Sequence, residues 1–310
     1  MEHRETKAID MNLMSFQGRG MCKNLVEKGS LQAPLIIYNR TKKRADDLSS
    51  TLPSGKTQVA STISEAVKPS NIIFACLGDD AAVQETITEA LKGDVKGKLF
   101  VDCSTIHPDT TKGIAKQITD AGAEFVAMPV FGAPAMADAG QLVCVMAGPK
   151  DLVEKVKPFT TDVMGRAIID LSGQDPGKAT LLKLIGNTFI LNMVETLSEG
   201  LVLSEKTGLG VDNLHQFIET MFPGPYTAYS TRMRSGDYHK REEPLFAVDL
   251  ARKDARHAMK LASDAGCRMR DVEVADAHLA EVKEHQGAKG DIASIYGAVR
   301  KEAGLEFETN

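Results

Sequence analysis

The first half of the chain alternates short apolar runs with segments whose apolar residues recur at helical spacing. Near-continuous apolar strands separated by helices are typical of a parallel sheet that is covered on both faces. The pattern therefore predicts a doubly wound α/β domain. Its predicted strands are residues 35–38, 71–77, 98–102, 124–128 and 141–147, and its predicted helices are residues 20–28, 42–51, 63–67, 81–91 and 109–121.

The β-rich runs end near residue 172, and the pattern that follows is helical throughout. The chain is therefore predicted to consist of an α/β domain, residues 1–171, and an all-α domain, residues 172–310. The predicted helices of the second domain are residues 177–207, 211–221, 246–264, 271–284 and 291–303.

The longest predicted helix, residues 177–207, is apolar over most of its surface yet carries Lys183 and Asn187. Their i, i+4 spacing places an ammonium and a carboxamide on one side of the helix, one turn apart. A helix that is apolar nearly all round is usually buried, and a buried lysine is costly unless it has a partner or a task. The alternative is that Lys183 reaches solvent and buries only its methylene stem. Asp175 as N-cap and Pro176 as first helical residue predict where the helix begins.

Composition and charge exclude several classes of function. The 310 residues carry a net charge of −5 without a dense Lys/Arg cluster, which argues against nucleic acid or a membrane surface as a partner. No run approaches the roughly 18 uninterrupted apolar residues that would span a bilayer. Five dispersed cysteines without a CxxC pair or Cys/His cluster predict reduced thiols and no metal site. The charged N-terminus lacks an apolar signal core, so we expect a cytoplasmic protein, with a mitochondrial location as the alternative.

A doubly wound domain that binds a dinucleotide needs a glycine-rich turn between its first strand and first helix. Gly18 stands just before the helical segment 20–28. If Gly18 is the third glycine of a GxGxxG fingerprint, the first two positions hold Leu13 and Ser15. The turn is therefore degenerate, as is the strand before it.

The residues after the strand at 35–38 bear on the choice of cofactor. An acidic residue about 20 positions after the turn would bind the ribose hydroxyls of NAD. The chain instead has Asn39, Arg40 and Thr41 there. A neutral amide followed by a guanidinium suits the 2′-phosphate of NADP, and a solvated surface arginine is the alternative. We therefore predict NADP, with NAD as the second choice.

Polar residues 102–105 (DCST) directly follow an apolar strand. The carboxyl ends of parallel strands form the crevice in which ligands bind. The alternative is that these residues cap the helix beginning near residue 108, a role that neither Thr105 nor His107 alone explains well.

Residues 128–141 form a stretch of small residues that includes Gly132 and Gly140, and we expect it to be a flexible loop. Such a loop can bring backbone N–H groups close to an anionic ligand, or it can be only a turn.

Five spaced motifs occur in the order found in one enzyme family. They are NRT at 39–41, DCST at 102–105 with a proline after it, PVFG at 129–132 with AGQL at 139–142, GxxxxxKxxxN ending at Asn187, and FxxxLxxKD ending at Asp254. From about residue 18 to 303 the chain thus resembles the β-hydroxyacid dehydrogenases, the group of 3-hydroxyisobutyrate dehydrogenase and glyoxylate/succinic-semialdehyde reductase, with a nucleotide-binding domain of the 6-phosphogluconate dehydrogenase type. The resemblance implies a Rossmann-type N-terminal domain, an all-α C-terminal domain that holds the long helix, and an active site in the cleft between them.

The resemblance also implies roles for single residues. Lys183 is similar to the catalytic lysine of the family, and Asn187 to its substrate-binding neighbour. The further substrate positions that it implies are Ser104, Thr105, Gly132 and Asp254. The cofactor positions that it implies are Gly18, Asn39, Arg40, Thr41, Leu77, Thr105 and Lys253.

The chain departs from the family in two places. Phe131 and Ala133 replace the serine and second glycine of a typical PVSGG segment, which removes a hydroxyl and narrows the site. The family's GLGxMG is missing from residues 13–18, and this change is the larger one. Two rival functions follow: a non-catalytic binding or scaffold module, favoured by the altered turn, and an imine-reducing enzyme, against which Lys183 argues.

The predicted reaction is NADP-dependent hydride transfer between a small 2- or 3-hydroxy acid and its oxo or semialdehyde form. In reduction, the Lys183 ammonium would stabilise the developing alkoxide and protonate it. In oxidation, the neutral amine would act as the base. The charged form of lysine favours the reductive direction. We expect a homodimer or homotetramer formed through the helical domain.

Overall fold

The computed structural model describes residues 9–13 and 16–309, which form a sheet with covering helices followed by a helical region. The strands are β1 (Ile9–Leu13), β2 (Leu35–Tyr38), β3 (Thr57–Val59), β4 (Ile72–Cys76), β5 (Leu99–Asp102), β6 (Glu124–Ala127), β7 (Val130–Phe131), β8 (Leu142–Gly148) and β9 (Gly165–Ser172). The helices of the same region are α1 (Phe16–Lys28), α2 (Lys42–Thr51), α3 (Ile63–Val67), α4 (Asp80–Ala90), α5 (Pro108–Asp120), α6 (Pro134–Asp138) and α7 (Lys150–Val156). The helices that follow are α8 (Gly177–Lys206), α9 (Val211–Met221), α10 (Pro225–Arg234), α11 (Asp237–Lys240), α12 (Val248–Asp264), α13 (Arg270–Gln286) and α14 (Ile295–Glu302).

The strand order is β3-β2-β1-β4-β5-β6-β8-β7, and β9 pairs with β8. Strands β1 to β6 run parallel, whereas β8 runs antiparallel to both β6 and β7. Because β1 lies between β2 and β4, the chain reverses its order across the sheet at β1. Ligands of open parallel sheets bind at the carboxyl ends of strands beside such a reversal. The predicted doubly wound domain is confirmed.

Successive residues of the central strands pack on opposite faces of the sheet, as the two-residue period of a strand requires. In β4, Phe74 lies in the apolar core that includes Leu25 of α1. Its neighbour Ile73 lies in the core that includes Ile87 of α4. Both faces are therefore covered by helices, which explains why these strands read as continuous apolar runs.

The chain divides into two units, Met1–Lys183 and Leu184–Asn310, and α8 runs through the division. The second unit has its own apolar core, which includes Leu191 of α8 and Leu279 of α13. An all-α C-terminal domain is thus confirmed, whereas the boundary predicted between residues 171 and 172 stays a prediction.

The start of α8 follows from its first residues. The Asp175 carboxylate accepts a hydrogen bond from Gly177 N at 2.8 Å, so the predicted N-cap is confirmed. A Cβ at Gly177 would lie 3.1 Å from the Pro108 carbonyl oxygen, so glycine lets α8 begin close to α5. The Thr180 and Thr111 hydroxyls, 3.0 Å apart, join the same two helices.

Several elements differ from the sequence-based prediction. Strand β1 corrects the expectation of a degenerate first strand, because it pairs in parallel with both β2 and β4 although polar residues interrupt its apolar run, IDMNL. Strand β9 is half-exposed over much of its length, so its pattern is not that of a buried strand. Helix α12 begins at Val248 rather than at 246, because the N–H groups of Leu245 and Phe246 donate to the Asp291 carboxylate. Strands β3 and β7 and helices α6, α7, α10 and α11 were not predicted either.

Candidate functional site

The ends of β4 and β5 are joined through Ser104. Its Oγ accepts a hydrogen bond from Leu77 N at 2.9 Å, and its own N–H donates to Asp102 Oδ1 at 3.2 Å. Ser104 is buried, whereas Thr105 beside it is half-buried. The predicted strand-end pair is therefore placed at the sheet edge beside the β1 reversal, with the serine hydroxyl engaged in joining the two strand ends.

His107 corrects one expectation from the sequence. Its Nδ1 accepts a hydrogen bond from Asp109 N at 3.2 Å, so this histidine does cap α5. Its backbone N–H donates to Asp80 Oδ1 at 2.9 Å, which ties the segment to the start of α4. Residues 102–107 are thus anchored at both ends, and a fixed backbone here positions Thr105.

The predicted cofactor motif lies after β2. Asn39 is buried, and its Oδ1 accepts a hydrogen bond from Thr41 N at 2.8 Å, which shapes the turn into α2. Arg40 and Thr41 are exposed. Asn39 therefore has a clear structural role, while the guanidinium of Arg40 is accessible to a ligand.

The structure describes only part of the region predicted to form the glycine-rich turn. Strand β1 ends at Leu13, α1 begins at Phe16, and Gly18 is buried in its first turn. Ser15, the predicted second fingerprint position, lies outside the described residues. Strand β1 leads into the N-terminus of α1 beside the sheet reversal, and a cationic side chain follows the next strand. This arrangement fits a dinucleotide with its phosphates.

Residues 128–141 are more ordered than the sequence suggested, since they form β7 and α6 rather than a flexible loop. Gly132 has φ +144°, and a Cβ there would lie 2.6 Å from Leu142 Cδ2, so only glycine fits this bend. At the other end, Asn24 Nδ2 donates to the carbonyl oxygens of Ala137, at 2.8 Å, and Asp138, at 3.2 Å.

Asn24 is a residue that sequence reasoning missed. It is fully buried in α1, where it clamps the C-terminal end of α6. Gly20, one turn earlier, permits this close approach, because a Cβ there would lie 2.6 Å from the Ala137 carbonyl carbon. The signal in the sequence was a lone asparagine and a glycine within an otherwise well-formed helix.

Lys183, the candidate catalytic residue, belongs to the first unit. Its side chain is only 8% exposed, so the alternative in which it reaches solvent does not hold. Its Nζ lies 4.3 Å from the centroid of the Phe131 ring, a cation–π distance. The residue that departs from the family pattern thus contacts the predicted catalytic ammonium.

In the second unit, Asn187 and Asp254 meet. Asn187 Nδ2 donates to Asp254 Oδ2 at 2.7 Å, and both side chains are buried. Lys253 Nζ lies 3.2 Å from Asp254 Oδ1. The carboxylate thus joins α8 to α12, and Asn187 stands one helical turn after Lys183 on the same side of α8.

The cysteines supply no candidate chemistry. Cys22, Cys76, Cys103 and Cys144 are buried and Cys267 is exposed, and none of these five described cysteines forms a disulfide bond. Burial, and then the nearby Cys76, Asp102 and Cys144, hold the pKa of the Cys103 thiol well above its ordinary range, which makes it unreactive. Within residues 9–13 and 16–309 there is no group of three or more His, Cys, Asp or Glu side chains able to hold a metal ion. No helix in this part of the chain is long and apolar enough to cross a bilayer.

Comparison with known proteins agrees with this arrangement. A family model described as the NAD binding domain of 6-phosphogluconate dehydrogenase matches residues 14–173. A second, described as NAD-binding of NADP-dependent 3-hydroxyisobutyrate dehydrogenase, matches residues 177–299. The chain is 38% identical to the NADH-dependent oxidoreductase ucdB of Aspergillus ustus, over 94% of this chain and 99% of that protein.

A plant relative and a solved structure extend the comparison. The chain is 32% identical to the chloroplastic glyoxylate/succinic semialdehyde reductase 2 of Arabidopsis thaliana, over 83% of this chain and 69% of that protein. The Mycobacterium tuberculosis 3-hydroxyisobutyrate dehydrogenase, solved with L-serine, has the same fold, with a TM-score of 0.79, 19% identity, and coverage of 95% of this chain and 99% of that one. The chain therefore belongs to the β-hydroxyacid dehydrogenase family of NAD(P)-dependent oxidoreductases.

Proposed function

We propose that this protein reduces a small 2- or 3-oxo acid or semialdehyde to its hydroxy acid, with NADP as cofactor and Lys183 as proton donor. The observation that supports this most is the buried Lys183 side chain, one helical turn before Asn187, whose amide is held by Asp254. A buried ammonium that is costly to desolvate is retained where it has a task.

The chemistry divides between the cofactor and the chain. A bound reduced nicotinamide supplies the hydride for the carbonyl carbon. Lys183 donates a hydrogen bond to the carbonyl oxygen and then a proton to the alkoxide that develops there. Asn187 orients the substrate through its amide, whose position the Asp254 carboxylate fixes. Because Lys183 is buried, the charge it contributes is screened little by water.

We also propose roles for further positions of the site. Ser104 and Thr105 lie at the carboxyl end of the sheet, and Gly132 supplies the bend after β7, so we assign all three to the substrate side. We assign Lys253 to closing over the cofactor, with Gly18 and Leu77 lining its nucleotide half.

The preference for NADP rests on Arg40, which is exposed after β2 and held on a turn that Asn39 shapes. A guanidinium there would pair with a 2′-phosphate. NAD is the alternative, and the name of the Aspergillus ustus relative, an NADH-dependent oxidoreductase, favours it.

The direct test is consumption of NADPH and NADH by the purified protein. Glyoxylate and succinic semialdehyde, the substrates in the name of the plant relative, are the first to try. We expect cofactor oxidation that depends on the carbonyl compound and is faster with NADPH. Tight cofactor binding without oxidation by any small oxo acid or aldehyde would contradict the proposed reaction.

A second candidate function, a weakly active or non-catalytic binding module, is favoured by one observation: Leu13 and Ser15 stand at fingerprint glycine positions. Any Cβ at the second position crowds the pyrophosphate. We expect measurable but weak NADPH binding by the natural chain. The double substitution Leu13→Gly, Ser15→Gly removes both Cβ atoms and should tighten it by on the order of 1–3 kcal/mol. A titration that detects no binding by either form would favour the non-catalytic module.

We also propose that the protein forms a homodimer through α8 and α9. Phe189, 72% exposed, and Leu203 of α8 and Phe217 and Met221 of α9 present apolar side chains to solvent. Large exposed apolar side chains on adjacent helices are characteristic of subunit interfaces. Sedimentation velocity should report a dimer that Phe189→Glu weakens, and a wild-type monomer at micromolar concentration would contradict this.

A further inference from the structure

Phe131 stands on a rigid support. Strand β7 pairs antiparallel with β8, with Phe131 opposite Val143. The next residue, Gly132, has φ +144°, a conformation that residues with a side chain rarely adopt, and a Cβ there would meet Leu142 and Met136 at 2.6 and 3.2 Å. Asn24 then clamps the far end of α6. The ring is therefore positioned by the backbone on both sides.

The segment that carries Phe131 offers no polar side chain to a substrate. Residues 128–137 (MPVFGAPAMA) contain no side chain with a hydrogen-bond donor, acidic group or cation. Ala133 and Ala135 are exposed, while Phe131 and Met136 are half-buried. An apolar surface that is ordered and partly exposed thus lies beside the aromatic ring.

The ring also contacts the proposed proton donor, since Lys183 Nζ lies 4.3 Å from its centroid. An aromatic face attracts a cation but repels an anion, because its quadrupole is negative above the ring. No side chain of residues 128–137 can donate a hydrogen bond to a carboxylate, so within this segment only backbone N–H groups could do so. An aryl or branched alkyl group would instead bury apolar surface there.

We propose that Phe131 makes this protein selective for oxo acids whose second carbonyl substituent is an aryl or branched alkyl group. This inference rests on the proposed function and names its substrate class. The substrate R–CO–COO⁻ gains a hydride at the carbonyl carbon from the reduced nicotinamide and a proton at oxygen from Lys183, which gives R–CH(OH)–COO⁻ and the oxidised cofactor. The R group lies against the Phe131 ring.

The test compares glyoxylate with phenylglyoxylate, which differ only in the R group. For the wild type, we expect kcat/KM to favour phenylglyoxylate by at least about tenfold, the scale on which an apolar pocket discriminates. Phe131→Ser should abolish or reverse that preference. Phe131→Leu, which keeps an apolar side chain but removes the ring, should retain most of it. Unchanged NADPH affinity in each variant shows that the fold is intact.

Two outcomes would overturn the proposal. A wild-type preference for glyoxylate, together with reduction of phenylglyoxylate that appears only in Phe131→Ser, would show that the ring excludes large substrates. An aryl preference that survives in Phe131→Ser would place the selectivity elsewhere. The shifts of the unfolding midpoint caused by mandelate and glycolate, the two products, distinguish failure of this selectivity proposal from failure of the proposed reaction. If mandelate stabilises the wild type but not Phe131→Ser, the apolar contact with Phe131 is supported even if neither oxo acid is reduced. Equal shifts of the wild type with mandelate and glycolate would contradict that contact.

Discussion

Asn187 Nδ2 donates a hydrogen bond to Asp254 Oδ2 over 2.7 Å, although 67 residues separate the two in the sequence. An ionised carboxylate accepts but does not donate, so this bond fixes which end of the Asn187 amide faces α12. Both side chains are buried, and Lys253 lies against the same carboxylate. The candidate substrate-binding residue is therefore oriented by a partner on another helix.

Removal of the Asp254 carboxylate should lower both the stability of the protein and its affinity for substrate. In Asp254→Ala the buried Asn187 amide loses its hydrogen bond to Asp254 Oδ2, and we expect the free energy of unfolding to fall by about 1–3 kcal/mol. Because that bond no longer orients the amide, KM for the carbonyl substrate should rise as well. Asp249→Ala removes an exposed carboxylate from the same helix and serves as the control. Equal stability of Asp254→Ala and Asp249→Ala would contradict a positioning role. Asp254→Asn keeps an acceptor, so a KM raised as much in Asp254→Asn as in Asp254→Ala would contradict it too.

Cofactor choice is tested at Arg40. Arg40→Asp should weaken NADPH binding by roughly 10- to 100-fold, the value of one or two charge-assisted hydrogen bonds, and affect NADH much less. Lys43→Asp makes the same charge change at an exposed position of α2, where the lysine pairs with Asp47. Nicotinamide fluorescence titrations measure both affinities. Equal losses for the two cofactors, or a wild-type preference for NADH, would show that Arg40 does not bind a 2′-phosphate.

The helical domain should lose stability in mild alkali because of His278. Its Nδ1 lies 2.8 Å from Glu195 Oε1, and this hydrogen bond is the main cause that raises the pKa of His278 to about 9. A folded-state pKa above the ordinary 6.5 means that the native state binds the extra proton between those values. The contribution, about 3 kcal/mol, is therefore full below pH 6.5 and disappears as pH rises through 9.

Thermal unfolding from pH 6 to 10 checks this expectation. The wild-type midpoint should fall across the window, and His278→Gln should show a flatter profile. His285→Gln makes the same change at a histidine that pairs with Glu308 and is more exposed, 37% against 11%, and it serves as the control. Parallel profiles for the wild type and His278→Gln would contradict the assignment.

The sequence predicted those elements that depend on residues close together in the chain. The strands β2, β4 and β5 are continuous apolar runs because both of their faces are covered, and the sequence shows them directly. The Lys183 and Asn187 pair follows from helical spacing alone. Strand β1 was expected to be degenerate because its sequence, IDMNL, mixes polar with apolar residues, whereas its place in the sheet comes from pairing with β2 and β4.

The contacts that shape the site are long-range, and this is why they were missed. Asn24 reaches Ala137 across 113 residues, and the Phe131 ring meets a lysine 52 positions later. No periodicity encodes such contacts, because they depend on how β7 and α6 fold back on α1. The motif comparison flagged Phe131 as a departure, but only the structure relates it to Lys183.

The account depends most on Lys183 as the proton donor, and single-turnover hydride transfer at saturating cofactor measures that role directly. Lys183→Ala should lower the rate by roughly 10²–10⁴-fold, the usual contribution of general acid–base catalysis, with little loss of stability. Lys183→Arg should not restore it, because a planar, permanently charged guanidinium cannot replace a titrating amine. Lys178→Ala, at an exposed position of the same helix, should leave the rate unchanged. A rate in Lys183→Ala close to that of the wild type would show that this lysine is structural and would contradict the proposed mechanism.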